Sequence, residues 1–85
     1  MAVAIAVRVR YFARLRELAG VEVEVTHVSI GATLADAYGA AQSKHPALPP
    51  RESVRGVINQ EFADWSATVI DGDEVAFIPP VSGGA

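Results

Sequence analysis

Few residues in this chain have both the type and the spacing for chemistry. His27 stands late in an alternating segment and His45 directly before Pro46, without a cysteine, a second nearby histidine or an Asp-x-His spacing to make a metal site. Ser29, Ser43, Ser53, Ser66 and Ser82 lack the Gly-x-Ser-x-Gly setting of a nucleophile elbow. Neither glycine-rich phosphate loop is present. Asp71, Asp73 and Glu74 resemble the opening of a calcium loop, but the later ligands never arrive, and a tight Asp-Gly turn accounts for them better. By elimination the chain lacks the equipment of a free-standing enzyme.

What remains is the end of the sequence, "IPPVSGGA". Pro79 and Pro80 favour an extended backbone without N–H donors, which directs Val81 and the residues after it away from a sheet. Gly83 and Gly84 have no Cβ, so a narrow channel could admit them where larger residues would clash. The chemical group of such an arm is a terminal carboxyl. An inert, frayed end would look the same by composition.

The remainder must hold that arm out. Eighty-five residues make one domain with one core, expected over residues 1–80, followed by a flexible tail over 81–85. A domain of this size buries only about 60–65% of its unfolded surface, and a composition 51% hydrophobic and 20% charged suits an efficient core. The net charge of −3 argues against nucleic acid, and Arg8, Arg10, Arg14 and Arg16 are followed at once by Glu17, Glu22 and Glu24, as on a solvated face or partner rim. Without cysteine there is no disulfide and no thiolate ligand, which fits the cytosol. The N-terminus has no basic stretch ahead of its apolar one, as a signal peptide would. No segment reaches the ~20 apolar residues of a membrane span. A soluble cytoplasmic protein is the expectation.

Val3, Ile5, Val7, Val9 and Tyr11 alternate with Ala4, Ala6, Arg8 and Arg10, the period of a half-buried strand. "ARLRELAG" is a two-turn helix closed by Gly20 and held by Leu15 and Leu18. "VEVEVTHV" returns to period two, with Val21, Val23 and Val25 expected inside and the glutamates outside. Thr33 and Asp36 form a capping box ahead of a helix whose stripe is Leu34, Ala37, Tyr38 and Ala41, stopped by Pro46. After a proline-rich loop, "VRGVINQEF" is a short strand and turn, and Glu74 to Ile78 a last strand beyond the Asp71-Gly72-Asp73 turn. This order suits an α+β roll, a β-grasp (ubiquitin-like) fold. A mixed four- to five-stranded sheet is crossed by one main helix, with the first and last strands parallel in the centre. Strand parity then turns Ile78 outward and puts Phe12 off the buried face. With Phe62 they make an exposed apolar patch beside the arm, unless Phe12 and Phe62 cover the sheet under the short helix.

"VRYFARLRELAG", "VINQEF" and "DGDEVAFIPPVSGG" together resemble the MoaD family, the small sulfur-carrying subunit of molybdopterin synthase, over essentially the whole chain. The PPVSGG ending is closer to this branch than to the thiamine carrier ThiS. The resemblance implies that an E1-like, MoeB-like enzyme adenylates the terminal carboxylate with ATP. Sulfur then converts Gly84 to a thiocarboxylate, and the tail enters a MoaE-like large subunit to sulfurate the pterin precursor, in a heterotetramer. Gly84 becomes the chemical residue and Ser82 and Gly83 its delivery arm. Phe12, Phe62, Ile78, Pro79, Pro80 and Val81 become the partner interface. No cofactor or metal is implied on the chain itself, which is a cosubstrate and not an enzyme.

Ala85 departs from the family pattern, which ends at the second glycine. Either it is trimmed, or it is peculiar to this sequence, or this paralogue carries no sulfur. Other readings are sulfur delivery to thiazole, cysteine or tRNA, a ubiquitin-like modifier joined through Gly84, and a plain binding module.

Overall fold

The strands of a computed structural model describing residues 3–80 form a sheet in the order β2-β1-β5-β3-β4. β1 (Ala4–Tyr11) leads through α1 (Arg14–Ala19) to β2 (Val23–Ser29) and α2 (Leu34–Lys44). A 3₁₀ turn over Arg51–Ser53 precedes β3 (Arg55–Ile58), β4 (Glu61–Phe62) and β5 (Glu74–Ile78). β1 and β5 are parallel neighbours, and the other pairings are antiparallel. This is the expected mixed roll, with α2 as its main helix and five strands at its upper bound.

Local chemistry accounts for the elements. Ile5, Val7, Val9 and Tyr11 are buried along β1, as their β-branched and aromatic alternation requires. Thr33 Oγ1 accepts from the Asp36 N–H at 3.2 Å and Asp36 Oδ2 accepts from the Thr33 N–H at 2.9 Å, so the capping box starts α2. Leu34, Ala37, Tyr38 and Ala41 then bury one stripe of that helix. α1 has no side-chain N-cap. It is held by buried Leu15 and half-buried Leu18, and stopped by Gly20, whose φ of 80° lets its N–H reach the Arg16 carbonyl. The core is aromatic at its centre: Phe77 packs against Tyr38 with ring centroids 4.8 Å apart and stacks on Trp65 at 6.1 Å.

The face of β2 is opposite to the expectation. Register pairs Val9 with Glu24, Val7 with Thr26 and Ile5 with Val28, so these three β2 residues point inward while Val25 is 55% exposed. A one-residue change of parity moves every side chain to the other face. Here a polar need in the core decides it. The Tyr11 hydroxyl, at the buried end of β1, donates to Glu24 Oε2 at 2.6 Å, and His45 Nε2 meets the same oxygen at 2.8 Å. β2 is also an edge strand, so its inner face is only partly covered and tolerates a partnered carboxylate.

That cluster carries a pH dependence. Burial works to raise the Glu24 carboxyl, but the hydrogen bonds from Tyr11 and His45 and the nearby Lys44 charge outweigh it and hold it below the ordinary value of 4.5. A carboxyl depressed in the folded state adds stability above its unfolded value and loses it as pH falls through the folded one. Glu24→Gln is therefore expected to cost on the order of 1 kcal/mol at neutral pH, because a charge-assisted bond becomes a neutral one, and to flatten the loss of stability below pH ~4.5. Urea unfolding at pH 7 and pH 3 measures both. A wild-type acid slope retained in full by the variant would remove Glu24 from the account.

Candidate apolar docking face and tail root

The face of the sheet away from α2 collects the candidates. On β5, Val75 and Phe77 are fully buried, which by alternation turns Ala76 and half-buried Ile78 to the other side. Val57 lies opposite Ala76 on β3 and Phe62 lies opposite Val57 on β4, so all three share that face. Phe12, just past β1, is 41% exposed and Phe62 is 68% exposed. Arg10, Phe12, Val57, Gln60, Glu74, Ala76 and Ile78 line a shallow depression of about 280 Å³. Ala76 and Val57 form its floor, and Phe12 and Ile78 stand at its rim.

Cations frame the aromatics. The Arg10 guanidinium lies 5.6 Å from the Phe12 ring centroid and 3.7 Å from Glu74 Oε2, and Arg55 lies 5.2 Å from the Phe62 ring. Among the described residues, Arg10 Nε is buried without a hydrogen-bond partner. The result is an apolar floor with a charged border, the usual anatomy of a protein-binding surface.

Two turns position the aromatic rims. Phe12 opens a turn closed by the Leu15 N–H on the Phe12 carbonyl at 3.0 Å. Ala13 in that turn has φ 53° and ψ −127°, a conformation that favours glycine. Phe62 follows the β3–β4 turn, where Asn59 and Gln60 both have positive φ, 50° and 73°. Asn59 is bolted to the start of β5: its amide donates to Asp73 Oδ1 at 2.9 Å and its Oδ1 accepts from the Glu74 N–H at 3.0 Å. The other Asp73 oxygen accepts from the Ile70 N–H at 2.9 Å. Asp73 is therefore the turn residue of the simpler sequence reading. Asp73→Ala is expected to cost about 2–3 kcal/mol, since a buried carboxylate with two donors is lost, and to loosen the hairpin that carries Phe62. Denaturant unfolding gives the first, and amide exchange at residues 59–62 the second.

β5 ends at Ile78, where two residues without N–H cannot extend the ladder. Pro79 is half-buried and Pro80 exposed. Both line a groove of about 420 Å³ together with Arg14, Leu15, Leu18, Ala47, Pro49 and Ser53. Among the described residues no three His, Asp or Glu side chains lie together as metal ligands. No described helix is long and apolar enough to cross a membrane.

The ThiS family model matches residues 9–84. The chain belongs to the ThiS/MoaD family. It is 38% identical over 81 residues to the molybdopterin synthase sulfur carrier subunit of Chlamydomonas reinhardtii, covering 92% of this chain and 98% of that one. Among solved structures it superposes on small archaeal modifier protein 1 of Haloferax volcanii with a TM-score of 0.83 at 30% identity, covering 91% of this chain and 99% of the other. Its fold is also that of a Caldiarchaeum subterraneum ubiquitin, with a TM-score of 0.67 at 18% identity over 96% of this chain and all of that one. The β-grasp assignment is thereby settled.

In this ThiS/MoaD-family chain, Phe12, Phe62 and Ile78 lie on one sheet face, while Pro79 and Pro80 follow the end of central β5 and line the groove beside α1. Phe12 and Phe62 do not cover the sheet beneath the short helix, because α1 buries Leu15 on the core side instead. Val81, Ser82, Gly83, Gly84 and Ala85 lie outside the described residues. Val57, Ala76 and Arg55 belong to the same face and were missed, while Arg10 borders it as the partner-rim reading of the arginines allowed. Alternation alone could have assigned Ala76 from Ile78, but Val57 and Arg55 needed the β3–β5 register.

Proposed function

We propose that the chain is the sulfur-carrier subunit of a molybdopterin synthase, bringing sulfur to a pterin precursor as a thiocarboxylate on Gly84. What supports this reading is the sheet face of Phe12, Ala76, Ile78, Val57 and Phe62 beside the strand that leads to the glycine pair. The similarity to a curated sulfur carrier subunit along nearly the whole chain supports it as well.

The chemistry follows from the carboxylate. Ionised at neutral pH, with a pKa of about 3.5, it is a poor electrophile. An E1-like partner uses ATP to join it to AMP with loss of pyrophosphate, and the acyl carbon then has a good leaving group. A persulfide sulfur displaces AMP, and thiol cleavage of the resulting acyl disulfide leaves the thiocarboxylate. In the large subunit that sulfur attacks the pterin precursor, and two carriers used in turn supply both dithiolene sulfurs. The apolar face holds each partner in place, the tail reaches its active site, and proton transfer belongs to the partner. ATP is the activating partner's substrate. Exposure of the Gly84 carboxyl requires removal of Ala85.

Intact mass decides it. After incubation of the chain cut back to Gly84 with the activating enzyme, ATP and a sulfur donor, the product is expected to have exchanged one oxygen for sulfur. An unchanged mass alongside a competent control carrier would refute the reading.

The likeness to a small archaeal modifier protein favours a second reading, in which the Gly84 acyl group passes to lysines of other proteins. Gly-Gly remnants on lysine in peptide maps from the native host would support it, and their absence beside an abundant thiocarboxylate form would exclude it.

A further inference from the structure

The chain has one lysine, Lys44; its other basic residues are Arg8, Arg10, Arg14, Arg16, Arg51 and Arg55. We propose that Lys44 is withheld from acyl transfer: its ammonium caps the open edge of β2, which leaves no ready side-chain amine to intercept the chain's own activated C-terminus. The inference rests on the activation chemistry proposed above, whereas the geometry beneath it does not.

The edge is defined by backbone direction. The Arg8 N–H donates to the Asp73 carbonyl at 2.9 Å, so the polar groups of Arg8 face β5. Val25, its register partner on β2, therefore turns its own N–H and C=O away from β1, towards the unpaired edge of the sheet. Lys44, itself exposed in the last turn of α2, fills that place, so only its hydrogen bonds set it apart from a free amine. Its Nζ donates to the Val25 carbonyl at 3.2 Å and to Oγ1 of buried Thr26 at 3.1 Å. The helix C-terminus favours a cation there, and a lysine on a strand edge also discourages pairing with another chain.

The position gives this cap a chemical consequence. Three residues on, past the end of α2, Ala47 lines the groove that Pro79 and Pro80 also line. Attack on an acyl adenylate needs a nitrogen lone pair. The nitrogen would form the new C–N bond as the C–O bond to AMP breaks, and its spare proton would pass to solvent. To do this Lys44 must shed a proton, abandon both acceptors and leave the edge carbonyl bare. The arginines supply positive charge without this hazard, because a guanidinium remains protonated at pH 7.

Two measurements test the proposal. In the first, the full chain and Arg16→Lys, which adds an amine on an exposed face of α1, are treated with limiting acetyl N-hydroxysuccinimide ester and mapped by mass spectrometry. Lys44 is expected to acetylate about tenfold more slowly than the added lysine, the effect of hydrogen bonds that must be given up, and Thr26→Val is expected to narrow the gap. Equal rates overturn the proposal. In the second, activating enzyme and ATP are supplied to the full chain and to its form lacking Ala85. The unsubstituted sequence is expected to accumulate acyl adenylate without covalent dimer, and Arg16→Lys to yield dimer linked at residue 16. Dimer or internal cross-link at Lys44 in comparable amount overturns the proposal. If no adenylate forms in any variant, the activation reading falls, while the acetylation ratio still judges the cap.

Discussion

Under the proposed carrier role, Ile78→Arg is expected to weaken binding to a synthase large subunit about 100-fold, with a melting curve close to that of the unsubstituted chain. Ile78 is half-buried on the outer sheet face, at the rim of the depression floored by Ala76 and Val57. In the free protein an arginine there extends into water and costs little. In the complex the same charge would be desolvated against an apolar floor without a partner, and truncating or charging a central interface residue typically costs about 2–4 kcal/mol, a factor of roughly 30 to 1,000. Arg10 and Arg55 already border this face, so the new charge also meets two of its own sign. Calorimetric titration against the large subunit, paired with thermal unfolding, separates the two effects. A variant that binds normally removes this face from the interface, and one that unfolds makes Ile78 a residue of the fold. Phe12→Arg, on the opposite rim, is expected to behave in the same way.

A large effect on stability is also expected at Gly56. An ideal Cβ on this residue would stand 2.4 Å from Leu34 Cδ2, 3.1 Å from Leu34 Cγ and 3.4 Å from Trp65 Cζ3. Leu34 has no open space to swing into, because it is fully buried in the first turn of α2. Gly56 is thus the point where the main helix sits down on β3, and hydrogen takes the place of a side chain. Gly56→Ala is expected to cost about 1–3 kcal/mol by overpacking, which for a domain of this size lowers Tm by roughly 5–20 °C. Leu34→Val in the same chain should return part of that loss, since it withdraws the clashing carbon, and a double-mutant cycle would report the coupling. Additive losses would mean that the strain is relieved elsewhere in the sheet.

Much of this architecture is legible in the sequence because it depends on neighbours close in the chain. The alternation of Ile5, Val7, Val9 and Tyr11, the Thr33–Asp36 box, the stripe of Leu34, Ala37, Tyr38 and Ala41, and the stop at Gly20 are each written within a few residues. Backbone hydrogen bonding and side-chain period suffice to read them. The same local parity along β5 turned Ile78 away from buried Val75 and Phe77.

Local rules fail where a side chain answers to something distant. Three valines in "VEVEVTHV" announce an inner face, yet Glu24 and Thr26 take it, because the hydroxyl of Tyr11 and the ring of His45 come from other elements and demand an acceptor at that spot. Gly56 reads as an ordinary strand residue until α2 lies across it. Lys44 reads as a helix-end cation until Val25 presents an edge carbonyl. Period and composition are properties of a segment, so the sequence by itself determined which segments fold and which of their faces are apolar. Which polar groups must be satisfied, and how closely two backbones approach, are properties of contacts, and only the tertiary structure decided them.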